Sequence, residues 1–120
     1  MALKVKRVYA AAAKSDGMRI LVDRLWPRGI AKEKAQVDLW LKAIAPSNTL
    51  RKRFHAKPEK WDAFLEAYAE ELQSDEAVEA GKALRRHIRK GTVTLLYAAR
   101  DEAHNNAVAL KALLSRRKRS

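Results

Sequence analysis

The sequence predicts an α/β fold: a small, mostly parallel sheet of about three strands, flanked by helices on both faces. Short β-branched runs alternate with longer segments whose apolar residues have helical spacing. The run TVTLLYAA at 92–99 is continuously apolar, which is typical of a strand buried on both sides. A chain of 120 residues with 48% apolar residues is long enough for one core. We therefore expect a single domain over residues 1–114, followed by a basic, disordered tail at 115–120.

The first two strands are predicted close to the N-terminus. Residues 3–9, LKVKRVY, alternate with period two, and residues 18–23 form the second strand. The connection AAAAKSDG ends in the turn signal SDG. Because this link has only eight residues, composition alone favours an antiparallel hairpin.

Helical spacing and capping residues predict five helices after the second strand. These are a short helix at 37–44, a second capped by Ser47 or Asn48, a third at 58–73, a fourth from Ser74 or Asp75 to Gly91, and a fifth at 105–115. The second of these has a basic side, whereas the third carries the apolar stripe of a helix that packs on a core.

The formal charge of +12 is unevenly distributed. Residues 1–57 have a net charge of +10, residues 58–80 of −7 and residues 81–120 of +9. Such a field attracts small anions or nucleic acid. The tail SRRKRS is either a tether for nucleic acid or a solvated terminus.

The composition excludes several kinds of chemistry. No cysteine is present, which excludes disulfides, thiol catalysis and cysteine-ligated metals. The histidines, His55, His87 and His104, lack metal-ligand spacing, so we expect no metal and no cofactor. The N-terminal MALKVKRVYA lacks a secretory core and no run approaches a membrane span, so we expect a soluble, cytoplasmic protein without membrane partners.

A first polar cluster, DRLWPRG, follows the second strand directly. Ligands of parallel α/β sheets bind at the carboxyl ends of strands. We expect Asp23 and Arg24 to orient one another, Arg28 to reach an anion, and Gly29 to let backbone amides approach it. The alternative is an internal salt bridge beside a turn in which Trp26 and Pro27 pack on the core.

A second polar cluster, AARDEAHNN, follows the apolar strand at 92–99. We expect Asp101 to cap the last helix, with His104, Asn105 and Asn106 in its first turn, where free amides favour an anion. His104 has the near-neutral pKa range that suits proton transfer. The alternative is that Asp101 is a plain cap and His104 a surface residue.

The stretches VDRLWPRGI, WLKAIAPSNTLRKRFHAKPEKWDAFLEAYAEEL and GTVTLLYAARDEAHNNAVALKALL resemble the YeaO-type branch of a bacterial family, domain of unknown function 488. The resemblance covers residues 4–114. It implies a small α/β fold with a short parallel sheet, no established activity, and parallel first and second strands. Larger relatives have a D-x-R-like strand end matching Asp23 and Arg24, and a Cys-His-Arg where this chain has His104 after Ala103. Without that cysteine, thiol chemistry is not expected here.

The resemblance also implies which residues share the face of DRLWPRG. These are Lys42, Ser47, Arg51 and His55. Together they would form a cationic pocket, and Trp26 and Tyr97 would supply its aromatic wall. Such a pocket fits a nucleotide or another phosphate-bearing aromatic molecule.

Three functions compete at this point. In the first, a pocket protein, plausibly an enzyme, holds an anionic small molecule with Arg24, Arg28 and Arg51, while Asp23 orients the arginines and His104 exchanges protons. The second is a non-catalytic nucleic-acid-binding module, and the third is a plain interaction domain. Arginines that converge on a concave site favour the first function, and arginines spread over a flat face favour the second.

Overall fold

The structure, a computed structural model, describes residues 2–117. Its four strands are β1 (Leu3–Arg7), β2 (Met18–Leu21), β3 (Leu39–Trp40) and β4 (Val93–Tyr97). They form one sheet in the order β1-β4-β2-β3, and every pairing is parallel. The α/β class and the parallel sheet are confirmed, with four strands rather than about three.

The last strand, β4, lies between β1 and β2. The hairpin favoured by the short link is therefore wrong, and the parallel arrangement implied by the resemblance is right. The link returns to the amino end of the sheet through a single 3₁₀ turn, Lys14–Asp16, and the hydroxyl of Thr94 on β4 donates to the carbonyl of Asp16 at 2.7 Å. At Gly17, where φ is +65°, an added Cβ would lie 2.2 Å from the carbonyl oxygen of Thr92. Only glycine fits this crossing.

The helix predicted at 37–44 is also wrong. The structure has β3 there, followed by a 3₁₀ turn at Lys42–Ile44. Leu39 and Leu41 pack on one side of the sheet and Trp40 on the other, which is the alternation of a strand. The N–H of Leu41 also donates to the carbonyl of Leu21 at 3.0 Å. Pairing with β2 thus overrides a spacing that a short helix would also satisfy.

The helices are α1 (Lys32–Ala35), α2 (Asn48–Ala56), α3 (Trp61–Glu71), α4 (Asp75–Lys90) and α5 (Asn106–Arg117). The one-turn helix α1 was not predicted, whereas the other four are confirmed in position. The hydroxyl of Ser47 accepts from Leu50 N–H at 3.1 Å, and that of Ser74 from Ala77 N–H at 3.2 Å. Both serines are therefore N-caps. None of the helices within 2–117 has the length and apolar character needed to cross a bilayer.

The sheet separates two apolar cores. All five residues of β4 are buried. Leu95 faces the larger core with α2 to α5, and Leu96 faces the smaller core with Val8, Leu21 and Ala35. Apolar packing on both faces explains why the sequence of β4 does not alternate.

The last helix is longer than expected. α5 continues to Arg117, two residues past its predicted end at Ser115. The guanidinium of Arg116 lies 2.9 Å from the carboxylate of Glu66 on α3. The rest of the predicted tail, residues 118–120, lies outside the described residues.

A buried charge cluster supports the link between β1 and β2. Asp16 is 4% exposed and accepts hydrogen bonds from Lys6 Nζ at 2.9 Å and from the guanidinium of Arg19. Arg19, also 4% exposed, donates to the carbonyls of Ala35 and Gln36. Burial alone would raise the pKa of Asp16, but its hydrogen bonds outweigh burial and lower the pKa to about 2.

Asp16→Asn should lower the free energy of unfolding by about 3–5 kcal/mol, because it leaves the buried Arg19 without its counter-charge. Urea unfolding measures this loss. Glu79→Gln is the matched control, since Glu79 pairs with Lys82 at 3.8 Å on the exposed face of α4 and should cost less than about 1 kcal/mol. Equal small losses in both variants would contradict a structural role for the cluster.

The same cluster predicts a pH dependence. Because folding lowers the pKa of Asp16 from 3.8 to about 2, its stabilisation is fully present above pH 3.8. That contribution, about 2 kcal/mol, is lost as the pH falls through the folded pKa. The stability difference between wild type and Asp16→Asn should therefore shrink between pH 4 and pH 2, and a difference that stays constant would contradict the assignment.

Candidate anion-binding site

The carboxyl ends of β2 and β4 border a cavity of about 430 Å³. Its walls come from the segment after β2, the segment after β4, the start of α5, and the facing sides of α2 and α3. The lining residues are Tyr9, Asp23, Arg24, Leu25, Trp26, Pro27, Arg28, Pro46, Arg51, Phe54, His55, Phe64, Ala98, Ala99, His104, Asn105 and Asn106. The two polar clusters predicted at strand ends thus meet in one concave site, as expected for parallel strands.

The Asp23 carboxylate lies at the base of this site. Oδ2 accepts from Ala98 N–H at 3.0 Å, and Oδ1 accepts from Asn106 Nδ2 at 2.9 Å. Burial raises the pKa of Asp23, while these two bonds and the positive charge of Arg51 oppose that rise. Both carboxylate oxygens are therefore engaged in holding β4 and α5 against the end of β2.

The start of α5 differs from the prediction in one respect. Asn105, 3% exposed, caps the helix, since its Oδ1 accepts from Val108 N–H at 2.9 Å. Asp101 instead closes the preceding turn by accepting from the N–H groups of Ala103 and His104. These bonds lower the pKa of Asp101. The cap moves to Asn105 because four residues separate Asp101 from the first helical turn.

His104 lies at the rim of the cavity rather than inside the helix. Its side chain is 48% exposed, with Nδ1 3.6 Å from a carboxylate oxygen of Asp101. Its ring meets that of Trp61 edge to face at 5.0 Å. This position gives His104 access to a ligand, and its proton-exchange role stays a prediction.

Arg24 does not pair with Asp23. Its guanidinium donates to the carbonyls of Ala45 and Pro46 at 2.9 and 3.2 Å. Among residues 2–117 there is no ion pair between Asp23 and Arg24, so both the mutual orientation and the internal salt bridge are wrong. Arg24 instead anchors the segment before α2.

The Trp-Pro-Arg-Gly segment is a turn with one side on the core. Trp26 Nε1 donates to the carbonyl of Ile30 at 2.8 Å, and its ring packs edge to face on Trp40. Gly29 has φ +79°, and its missing Cβ faces open space. Glycine is therefore needed for the backbone angle rather than for a close approach. Trp26 and Arg28 both border the cavity, and the side chain of Arg28 is exposed.

Three other predicted site residues lie elsewhere. Lys42 stacks on the ring of Trp40 at 4.2 Å, Ser47 is held by Glu71, and Tyr97 is 2% exposed in the larger core. None of the three lines the cavity, so the aromatic wall does not include Tyr97. Burial also raises the pKa of Tyr97.

Sequence reasoning missed the apolar part of the site. Tyr9, 40% exposed, donates its hydroxyl to the carbonyl of Arg28 at 2.6 Å, and Leu25 is 58% exposed. Phe54 contributes a ring from α2. Leu25 could have been identified from the sequence, because it is an apolar residue within the polar segment that follows β2. Tyr9 and Phe54 could not, because only tertiary packing brings them to the site.

Asn106→Ala should lower the free energy of unfolding by about 1–3 kcal/mol, because Asp23 Oδ1 and the carbonyl of Val22 lose their donor. It should also raise the pKa of Asp23 further, which NMR titration of the carboxyl carbon would detect. Asn48→Ala, at an exposed position of α2, is the matched control and should change stability by less than about 0.5 kcal/mol. An unchanged Asp23 titration would show that Asn106 does not support the carboxylate.

Comparison with known proteins identifies the family to which the chain belongs. Residues 2–120 match the family described as "Inactive DUF488-N3 subclade". The chain is 46% identical to the uncharacterized protein YeaO of Escherichia coli (strain K12) over 110 residues, which are 92% of this chain and 94% of YeaO. It is 40% identical to the uncharacterized protein Rv3073c of Mycobacterium tuberculosis (strain ATCC 25618 / H37Rv) over 115 residues, 96% and 95% of the two chains. No solved structure matches it significantly. With a match over nearly its whole length, the chain belongs to the DUF488-N3i family as a YeaO-like member.

Proposed function

We propose that this protein is a cytoplasmic binding protein for a phosphate-bearing, nucleotide-like small molecule, held in the cavity at the carboxyl ends of β2 and β4. The observation that carries the proposal is a pair of arginines with no directly bonded partner, although Arg51 is near enough to Asp23 for its charge to lower the pKa of that carboxyl group. Arg28 and Arg51 line the cavity, and neither guanidinium has a hydrogen bond or an ion pair within the described part of the chain. Free arginines in a concave site suit bidentate binding of phosphate or carboxylate oxygens.

The rim supports a ligand that is more than a bare anion. Tyr9 and Leu25 are the two large apolar residues left exposed in the described structure, and both border this cavity. Phe54 faces the same space. A planar apolar group attached to the anion would cover these side chains and remove them from water. A nucleotide has this combination of phosphate and flat base.

The geometry favours binding over turnover. Both oxygens of Asp23 accept hydrogen bonds from groups that join β4 and α5 to the end of β2, so we assign this carboxylate a structural role rather than that of a general base. The matched family is described as inactive, which agrees with a site that binds without reacting. His104 then serves as a further hydrogen-bond donor at the rim.

Nucleic acid is the second candidate. Arg51, Lys52 and Arg53 are consecutive exposed cations on α2 and extend the positive charge beyond the cavity. Phosphates of a nucleic-acid backbone would then follow α2 past the cavity mouth. Such binding would weaken steeply with salt, with a slope set by the number of phosphates contacted.

Arg28→Ala and Arg51→Ala should each weaken binding of ADP or inorganic pyrophosphate at least tenfold in calorimetric titration. Both side chains are exposed, so the free energy of unfolding should change by less than about 1 kcal/mol. Arg86→Ala, an exposed arginine of α4 outside the cavity, is the matched control and should leave binding unchanged. Equal losses in all three variants would indicate binding to general positive charge.

The nucleic-acid candidate is tested with a double variant on α2. A labelled single-stranded oligonucleotide is titrated at increasing salt against the wild type and the double variant Lys52→Ala/Arg53→Ala. If α2 binds a phosphate backbone, the double variant reduces oligonucleotide affinity but leaves pyrophosphate affinity unchanged. Oligonucleotide binding without any binding of ADP or pyrophosphate would replace the cavity proposal by the second candidate.

A further inference from the structure

A second concave surface, which we call the α2–α3 groove, adjoins the first. It has a volume of about 300 Å³ and is lined by Leu50, Arg53, Phe54, Lys57, Lys60, Ala63, Phe64 and Ala67. Phe54 and Phe64 line both spaces and form the partition between them. The groove is therefore a separate site, and no residue of DRLWPRG or HNN lines it.

The floor of the groove consists of apolar side chains. Phe54 stacks on Phe64 with ring centroids 4.6 Å apart, and Trp61 packs against both rings at 5.5 and 5.6 Å. Leu50 completes the floor and, like Phe64, is 5% exposed. A floor packed this closely keeps its shape, so an apolar group can enter without paying for rearrangement.

The rim of the groove is cationic. Arg53, Lys57 and Lys60 border it, no acidic residue lines it, and none of the three side chains has a hydrogen bond or an ion pair within the described residues. Arg53 also borders a shallow neighbouring surface with Glu70, which offsets part of its charge. Lys57 and Lys60 border the groove but not the neighbouring surface that contains Glu70 and Glu71, and Glu59, between them in sequence, does not line the groove.

We propose that the α2–α3 groove binds a small amphiphilic carboxylate, with its hydrocarbon body on the Leu50–Phe54–Phe64 floor and its carboxylate between Lys57 and Lys60. An apolar pocket with a few charged groups at one end is the usual form of such a site. Eight lining residues are far fewer than the roughly 20–30 per side of a stable protein interface, which argues against a protein occupant. A sugar or nucleotide body would leave polar groups against carbon without hydrogen bonds.

Decanoate is the probe. Titration below its micelle concentration, followed by amide ¹H–¹⁵N NMR, should give saturable shifts centred on Ala63 and Ala67. Decanol should bind at least tenfold more weakly, because it lacks the charge. Shifts that do not saturate, or that centre on residues 23–28, would overturn the proposal.

Two kinds of variant test the two halves of the site. Lys57→Glu/Lys60→Glu should weaken decanoate binding at least tenfold, while Lys90→Glu/Lys111→Glu, which changes net charge equally at exposed positions elsewhere, should change it less than twofold. Ala63→Trp, at an exposed position of α3, should block the groove sterically without disturbing the core. Decanoate affinity that survives both Lys57→Glu/Lys60→Glu and Ala63→Trp would refute the site.

The two cavities are tested independently. Arg28→Ala and Arg51→Ala should leave decanoate affinity unchanged, and Ala63→Trp should leave pyrophosphate affinity unchanged. Decanoate binding that is lost in Arg28→Ala would place the carboxylate in the first cavity and overturn the assignment to the groove.

Discussion

The Asp23 carboxylate is the contact on which the arrangement of the site depends. It lies just past the end of β2 and accepts hydrogen bonds from the backbone after β4 and from the first residue of α5. The backbone carbonyl of Asp23 accepts a hydrogen bond from Trp40 Nε1 at 2.7 Å, so β3 is also attached to this residue. A single residue thus fixes three strands and a helix relative to one another. The segments after β2 and β4 and the start of α5 are also walls of the cavity, so the geometry of this part of the site depends on Asp23.

Charge is used differently at the two ends of the sheet. At the amino end of β2, Asp16 is buried and neutralised by Lys6 and Arg19, because an unpaired charge there would be costly. At the carboxyl end, the side chains of Arg28 and Arg51 are exposed to water, and the charge of Arg51 acts on Asp23. Solvated cations cost the fold little and stay available for an anion. The positive net charge of residues 1–57 is therefore divided between buried ion pairs and exposed side chains that border the cavity.

Elements with long, consistent patterns were predictable. β4 and α2 to α5 follow from an unbroken apolar run, helical stripes and caps, which are local signals. β3 was not predictable, because its two residues fit both the helical and the strand spacing of apolar side chains. Only the pairing with β2 decides in favour of a strand. In the site, Asp23, Arg28 and His104 follow from the convergence of parallel strand ends. Tyr97 does not join them because the side chains of β4 alternate between the faces of the sheet, which sends it into the larger core.

The partition between the two cavities shows how the fold keeps two solvent environments apart. On one side of the Phe54–Phe64 pair, the space is lined by charged groups that include Asp23, Arg28 and Arg51. On the other side the same two rings present carbon to a space that contains no carboxylate. Because both rings are packed against Trp61, and Phe64 also against Tyr68, the partition cannot collapse into either space without opening the larger core. The aromatic residues of α2 and α3 therefore do more than fill the core: they separate a space bordered by arginines and Asp23 from one with an apolar floor.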